Sequence, residues 1–145
     1  MRKSDKSKHN ITIASIKRST IKPYDDFKWT KFYESNSDFL YSGLNLNLIE
    51  NELIICSTII NSDNYSILTT QKLITNQNGI EYSGSLINAK NKGYGNFKGY
   101  QDHSLTLGHI ELKDGTDLKY FIETGRASMV MINGIGTLIS MKRQE

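Results

Sequence analysis

The clearest signal along the chain is the spacing of its apolar residues from position 53 onwards. Leu53 to Ile60 is nearly all apolar and rich in β-branched side chains, which predicts a strand covered on both faces. Asn61-Ser62-Asp63-Asn64 reads as a turn, and Tyr65 to Thr70 and Gln71 to Thr75 continue with strand composition. Asn76-Gln77-Asn78-Gly79 is a hairpin signal because Asn-Gly readily supplies positive φ, so Ile80 to Ser83 is the returning strand.

A second hairpin follows. Within Ser104 to Leu112, Leu105 and Leu107 share one phase and Ile110 and Leu112 the other, which predicts a β-bulge at Gly108-His109. The return strand places Leu118, Tyr120 and Ile122 on one face. A three-residue loop, Lys113-Asp114-Gly115, sets Leu112 opposite Thr116 and Ile110 opposite Leu118, whereas a two-residue loop would mix the faces. The expected connection is therefore a type I turn closed by a left-handed Gly115.

After Glu123-Thr124-Gly125 the period changes. Met131, Ile132, Ile135, Leu138 and Ile139 recur at three and four residues, the stripe of an amphipathic helix, with Thr124 or Ser128 as its cap. Gly134 and Gly136 interrupt it, as close packing on a sheet would require. Earlier, Tyr24, Phe27, Trp29, Phe32, Tyr33, Phe39 and Tyr41 crowd together around a short strand or one helical turn, and Ser35-Asn36-Ser37-Asp38 reads as a turn or cap. The order is several antiparallel strands and then one helix, an α+β, mostly β architecture.

Composition adds limits. With 145 residues and 37% hydrophobic residues there is room for one core but not two. The net charge of +3 is uneven: residues 1 to 22 carry +6 and the remaining 123 residues carry −3. This predicts a flexible basic arm (1–22) before a single mildly acidic domain (23–145), the arm being a solvated tail or a contact for anionic surfaces. The single cysteine, Cys56, lies in an apolar run and reads as a buried small hydrophobe. No apolar stretch is long enough for a membrane span, and no signal-peptide core follows the basic start, so a cytoplasmic location is expected.

The run Asn64-Tyr65-Ser66-Ile67-Leu68-Thr69-Thr70-Gln71-Lys72-Leu73-Ile74 resembles a segment of bacterial PH-like domains, with Lys72 where that family carries arginine. The resemblance implies a PH-like antiparallel barrel or sandwich, roughly over residues 48 to 141, closed by the C-terminal amphipathic helix. Residues 84 to 102, rich in glycine, interrupt the family's strand order. In size and composition the chain also resembles the immunity proteins of bacterial polymorphic toxin systems. That likeness implies a protein partner, a toxin domain neutralised by occlusion.

Candidate chemistry is sparse. Gly93 to Tyr100 combines glycines with Tyr94, Phe97, Lys98 and Tyr100, but its spacing matches neither a dinucleotide nor a phosphate loop. Its expected role is a bent structural segment or a partner contact, with Tyr94, Phe97, Lys98, Tyr100 and the exposed Arg126 as the contact residues. Arg126 alternatively pairs with Glu123. Basic residues beside aromatics suit single-stranded nucleic acid, but the acidic body argues against it. His9, His103 and His109 lack ligand spacing, Asp25-Asp26 reads as a solvated turn, and no nucleophile has an orienting base. No enzyme, cofactor or metal is expected. The alternative is a PH-like module binding anionic lipid or a phosphorylated ligand through the arm and Lys90, Lys92 and Lys98. Exposed sheet edges also leave a homodimer open.

Overall fold

The structure is a computed structural model, and it describes residues 3–41, 44, 46–95, 97–98 and 104–142, with Lys142 described in backbone only. Helix α1 spans Asp5–Ser19. A five-stranded antiparallel sheet follows, with strands in sequence order: β1 Thr30–Phe32, β2 Ile54–Asn61, β3 Asn64–Thr69, β4 Leu73–Gln77 and β5 Ile80–Gly84. A three-stranded antiparallel sheet comprises β6 Lys90–Gly93, β7 Leu105–Glu111 and β8 Asp117–Glu123. Helix α2, Ser128–Lys142, comes last. The class is α+β, mostly sheet, with a C-terminal helix. The sheets are two separate layers and do not close into a barrel.

The predicted flexible arm is a helix. Ser4 caps its start by accepting from Ser7 N at 3.1 Å, Asp5 stands in the first turn, and Lys17 and Arg18 stand in the last. Its buried stripe is Lys8, His9, Thr12, Ile13 and Ile16, only two of them apolar. The polar members enter the core because they are hydrogen-bonded there. Thr12 Oγ1 donates to Lys8 O at 2.7 Å, and His9 Nε2 lies 2.8 Å from Tyr33 O and 3.1 Å from Ile54 O. Ser15 and Thr137 hydroxyls meet at 2.8 Å where α1 packs on α2.

One core was expected, and two apolar clusters form on opposite faces of the five-stranded sheet. The inner one joins Ile13 and Ile16 of α1, Ile55, Cys56, Leu68 and Leu73 of the sheet, Ile110, Leu118, Tyr120 and Ile122 of β7–β8, and Met131, Ile135 and Leu138 of α2. The outer one, Tyr33, Ile54, Ile59, Tyr65, Ile67 and Ile74, is covered by Phe39, Tyr41, Leu44, Leu46 and Leu48. The described residues of that covering segment have no regular structure, so they cover the second core without an additional element. In β2, Ile54 opposes Thr69 and Cys56 opposes Leu68, leaving Ile55 as a bulge. The bulge is why Ile54 faces outward while Ile55 and Cys56 both face inward.

Local turns follow the sequence closely. Asn78 and Gly79 have φ of 54° and 85°, and Gln77 pairs with Ile80, giving a two-residue hairpin of the left-handed kind. Leu112 N donates to Thr116 O at 2.8 Å, Ile110 opposes Leu118, and Gly115 has φ 89°, as the three-residue loop requires. The expected bulge at Gly108-His109 is absent, because β7 and β8 pair without interruption from Leu105–Glu123 to Glu111–Asp117. The apolar phase breaks because Thr106 and Gly108 occupy core-facing positions. A Cβ at Gly108 would overlap Tyr120 Cζ and stand 2.5 Å from Cε1 and 2.6 Å from the hydroxyl oxygen. The irregularity lies on β6, between Asn91 and Gly93.

Candidate partner-binding surface

The segment 93–98 packs as part of the fold. Tyr94 and Phe97 are half-buried against the inner core, with ring centroids 6.0 Å apart at 85°. Gly95 has φ 60°, and a Cβ there would overlap Thr106 Oγ1 and lie 3.0 Å from Leu107 O. Gly125 N donates to Phe97 O at 2.8 Å, tying the loop to the turn before α2. Lys98 is exposed, and Tyr100 lies outside the described residues. The two rings therefore pack partly against the core and remain partly exposed.

Arg126 is expected as an exposed anchor or a partner of Glu123; its side chain is about a third exposed, and among the described residues its ion partner is Asp26 rather than Glu123. Its Nη1 donates to Ile21 O at 2.8 Å and Pro23 O at 2.5 Å, and its Nη2 donates to both Asp26 carboxylate oxygens, at 2.6 and 2.8 Å. The guanidinium also lies over Phe27, 4.9 Å from the ring centroid. Glu123 instead accepts from Lys28 N at 3.0 Å and Trp29 N at 2.8 Å. Together the two side chains clamp residues 21–29 onto the β8–α2 junction. Asp25 and Asp26 are exposed, as a solvated turn requires, and Asp26 is in addition the ion partner of Arg126.

The cations of the alternative anionic-ligand surface differ in their surroundings. Lys8, one of the arm's cations, is buried, and Lys17 pairs with Glu34 at 2.5 Å. Lys90 and Lys92 are exposed on β6, with Lys92 Nζ 3.8 Å from Glu111 Oε1. Among the described residues no three His, Cys, Asp or Glu side chains gather, and His109 pairs with Asp117 at 3.2 Å. Burial pushes the Cys56 thiol well above its ordinary range, so it is protonated and unreactive. Burial likewise raises the Tyr33 and Tyr120 phenols. No described helix is long and apolar enough to cross a membrane.

Among the described residues, the sheets leave one edge open. Across the five strands runs a row of hydroxyl-bearing residues in register, Thr30, Thr58, Ser66, Thr75 and Tyr82, on the inner face. Thr30 and Thr58 hydroxyls are 3.0 Å apart, and Ser66 and Thr75 hydroxyls 2.8 Å apart. Phe121 N of β8 donates to Ser66 Oγ at 2.8 Å, so the row receives the edge of the second sheet. On β6 the edge is guarded by Lys90, Lys92 and the irregularity, and β1 is only three residues long. Strand β5 has none of these protections: it pairs with β4 without a break and carries neither proline nor lysine.

Its side chains are open too. Ile80 is 58% and Tyr82 50% exposed, both on the inner face beside the β7–β8 hairpin. A cleft of about 210 Å³ lined by Thr75, Gln77, Tyr82, Asp117, Leu118 and Lys119 runs along it. Gly84 closes the other end, where a Cβ would lie 2.5 Å from Leu112 Cδ1. The sequence marked Ile80 to Ser83 as a strand but gave no sign that this strand ends the sheet. Alternating Ile80-Glu81-Tyr82 reads the same for a half-buried strand inside a sheet as for one at its margin. Compared with known proteins, the chain matches no family model, and no curated protein or solved structure matches it either.

Proposed function

We propose that the chain is a non-enzymatic protein-binding module, and that its concrete role is that of an immunity protein covering a cognate bacterial toxin. The PH-like assignment belongs to the same proposal and rests on the Asn64–Ile74 segment together with a helix that closes the chain. The observation that carries the reading is the open β5 edge with Ile80 and Tyr82 exposed beside it. An edge strand supplies main-chain donors and acceptors for an incoming strand, and flanking side chains supply selectivity. A tyrosine at the centre of such a surface is a rigid, amphipathic anchor.

The test is a capture and rescue experiment. The intact chain should retain one stoichiometric protein from its native cells, and that protein should be toxic when expressed alone. Co-expression of the intact chain should relieve the toxicity. The Ile80→Ser/Tyr82→Ser pair should fold normally yet lose both capture and rescue. Full rescue by that double variant would overturn the assignment of β5.

A further inference from the structure

We propose that, without its partner, the β5 edge is occupied by a second copy of this chain, in a two-fold antiparallel pairing centred on Tyr82. This rests on the reading of β5 as the docking strand and adds the occupant of that edge in its resting state.

The register follows from the β4–β5 hairpin. Gln77 and Ile80 close a two-residue loop, so they form a hydrogen-bonded pair, and bonding alternates from there. Ile80, Tyr82 and Gly84 therefore direct their main-chain groups to β4. Glu81 and Ser83 direct theirs to the free edge.

Two copies related by a two-fold axis can join those outward groups in few ways. Centring on Glu81 would set two carboxylates directly opposite, which is unfavourable. Centring on Ser83 would leave Ile80 uncovered and require Ser85, beyond the end of β5. Centring on Tyr82 uses β5 alone. Glu81 of each copy then faces Ser83 of the other, and all four outward groups on each chain are paired. Tyr82 faces its counterpart on the inner side. Ile80 comes opposite Gly84, which lies under Leu112, so an exposed isoleucine gains an apolar neighbour. The two five-stranded sheets become one continuous ten-stranded sheet, and the unguarded edges disappear.

The experiment is sedimentation of the full chain over a range of concentrations, together with a cross-linking variant. The intact chain should move from its 16.5 kDa monomer mass towards twice that value. Glu81→Pro should stay monomeric and melt at the temperature of the intact chain in its dilute, monomeric range, because the amide it removes points away from β4. Tyr82→Cys should form an inter-chain disulfide on mild oxidation, since a central non-hydrogen-bonded pair brings its Cβ atoms to roughly 4.5–5.5 Å. The native Cys56 is buried and does not interfere. Glu81→Cys should not cross-link. A monomer at every concentration, or an equally strong cross-link through Glu81→Cys, would overturn the pairing. If the intact chain stays monomeric while Glu81→Pro loses the toxin partner, the copy is refuted and the docking edge stands. If dimer and partner bind together without competition, the shared edge is refuted.

Discussion

Replacing Gly108 by alanine tests the packing of the second sheet at its tightest point. Gly108 does not have a positive φ, so alanine brings no backbone strain and the effect isolates the side-chain overlap. The added methyl would meet two ring carbons and the hydroxyl oxygen of Tyr120, whose side chain is fully buried between the sheets and α2. Overpacking of this kind costs about 1–3 kcal/mol, against which the smaller entropy of an unfolded alanine offsets about 0.4–1 kcal/mol. The net loss is about 1–2 kcal/mol, which for a chain of this length corresponds to roughly 3–7 °C in Tm. Thermal and urea unfolding of the wild type, Gly108→Ala, Tyr120→Leu and the double variant measure it. The leucine leaves room for the new methyl, so the double variant should be more stable than the summed singles by about 1 kcal/mol or more. Additivity, or a Gly108→Ala melting curve that overlays the wild type, would refute the account.

Other outcomes follow from the same structure. The Tyr120 hydroxyl is buried and has no hydrogen-bond partner among the described residues, so Tyr120→Phe should leave stability unchanged or raise it by up to about 1 kcal/mol. Arg126→Lys keeps the charge but loses the two-pronged bond to Asp26, and it should cost about 1 kcal/mol and speed proteolysis within residues 21–29. Burial holds the Cys56 thiol protonated in the folded chain, while in the unfolded chain it ionises near its ordinary pKa of about 8.5. The unfolded state therefore binds fewer protons above that pH. Stability should fall by up to about 1.4 kcal/mol per pH unit from this group, and Cys56→Ala should flatten the decline between about pH 9 and 10. A slope unchanged in the alanine variant would place its origin elsewhere.

Where an element's identity depends on local chemistry, the sequence revealed it. Asn78-Gly79 and Asp114-Gly115 fixed their hairpins through the φ values those residues tolerate, and the Met131–Ile139 stripe fixed α2. Gly134 was correctly read as a close-packing site, since a Cβ there would lie 3.0 Å from Cys56 Sγ and 3.2 Å from Leu68 Cδ2. Gly136 has no comparable contact. Helix α1 was missed because His9 and Thr12 stand where apolar residues were sought, and carbonyls from α1, β2 and the end of β1 make them fit to bury. Its local signals, Ser4 before Asp5 and Lys17-Arg18 at the end, were present and outweighed by the apparent charge of an arm. Gly108 was read as a bulge because a phase slip cannot show whether the backbone bends or the opposite ring fills the gap. The candidate surface is the least legible part. Aromatics in a glycine-rich run look like a surface loop until the core they cover is seen, and an open edge is a property of the whole sheet.

The pairing of α1 with α2 has a consequence for how the chain comes to be folded. Ser15 and Thr137, which touch in the finished molecule, are 122 positions apart, and Ile16 likewise waits for Gly134. During synthesis the first helix emerges long before its neighbour, and the inner core cannot close until nearly the last turn of α2 is made. The β2–β5 meander, whose partners are adjacent in sequence, can assemble in the meantime. The emerging chain would thus hold a finished sheet with a bare inner face, and removing α2 should leave that species collapsed, sticky and bound by chaperones rather than merely less stable.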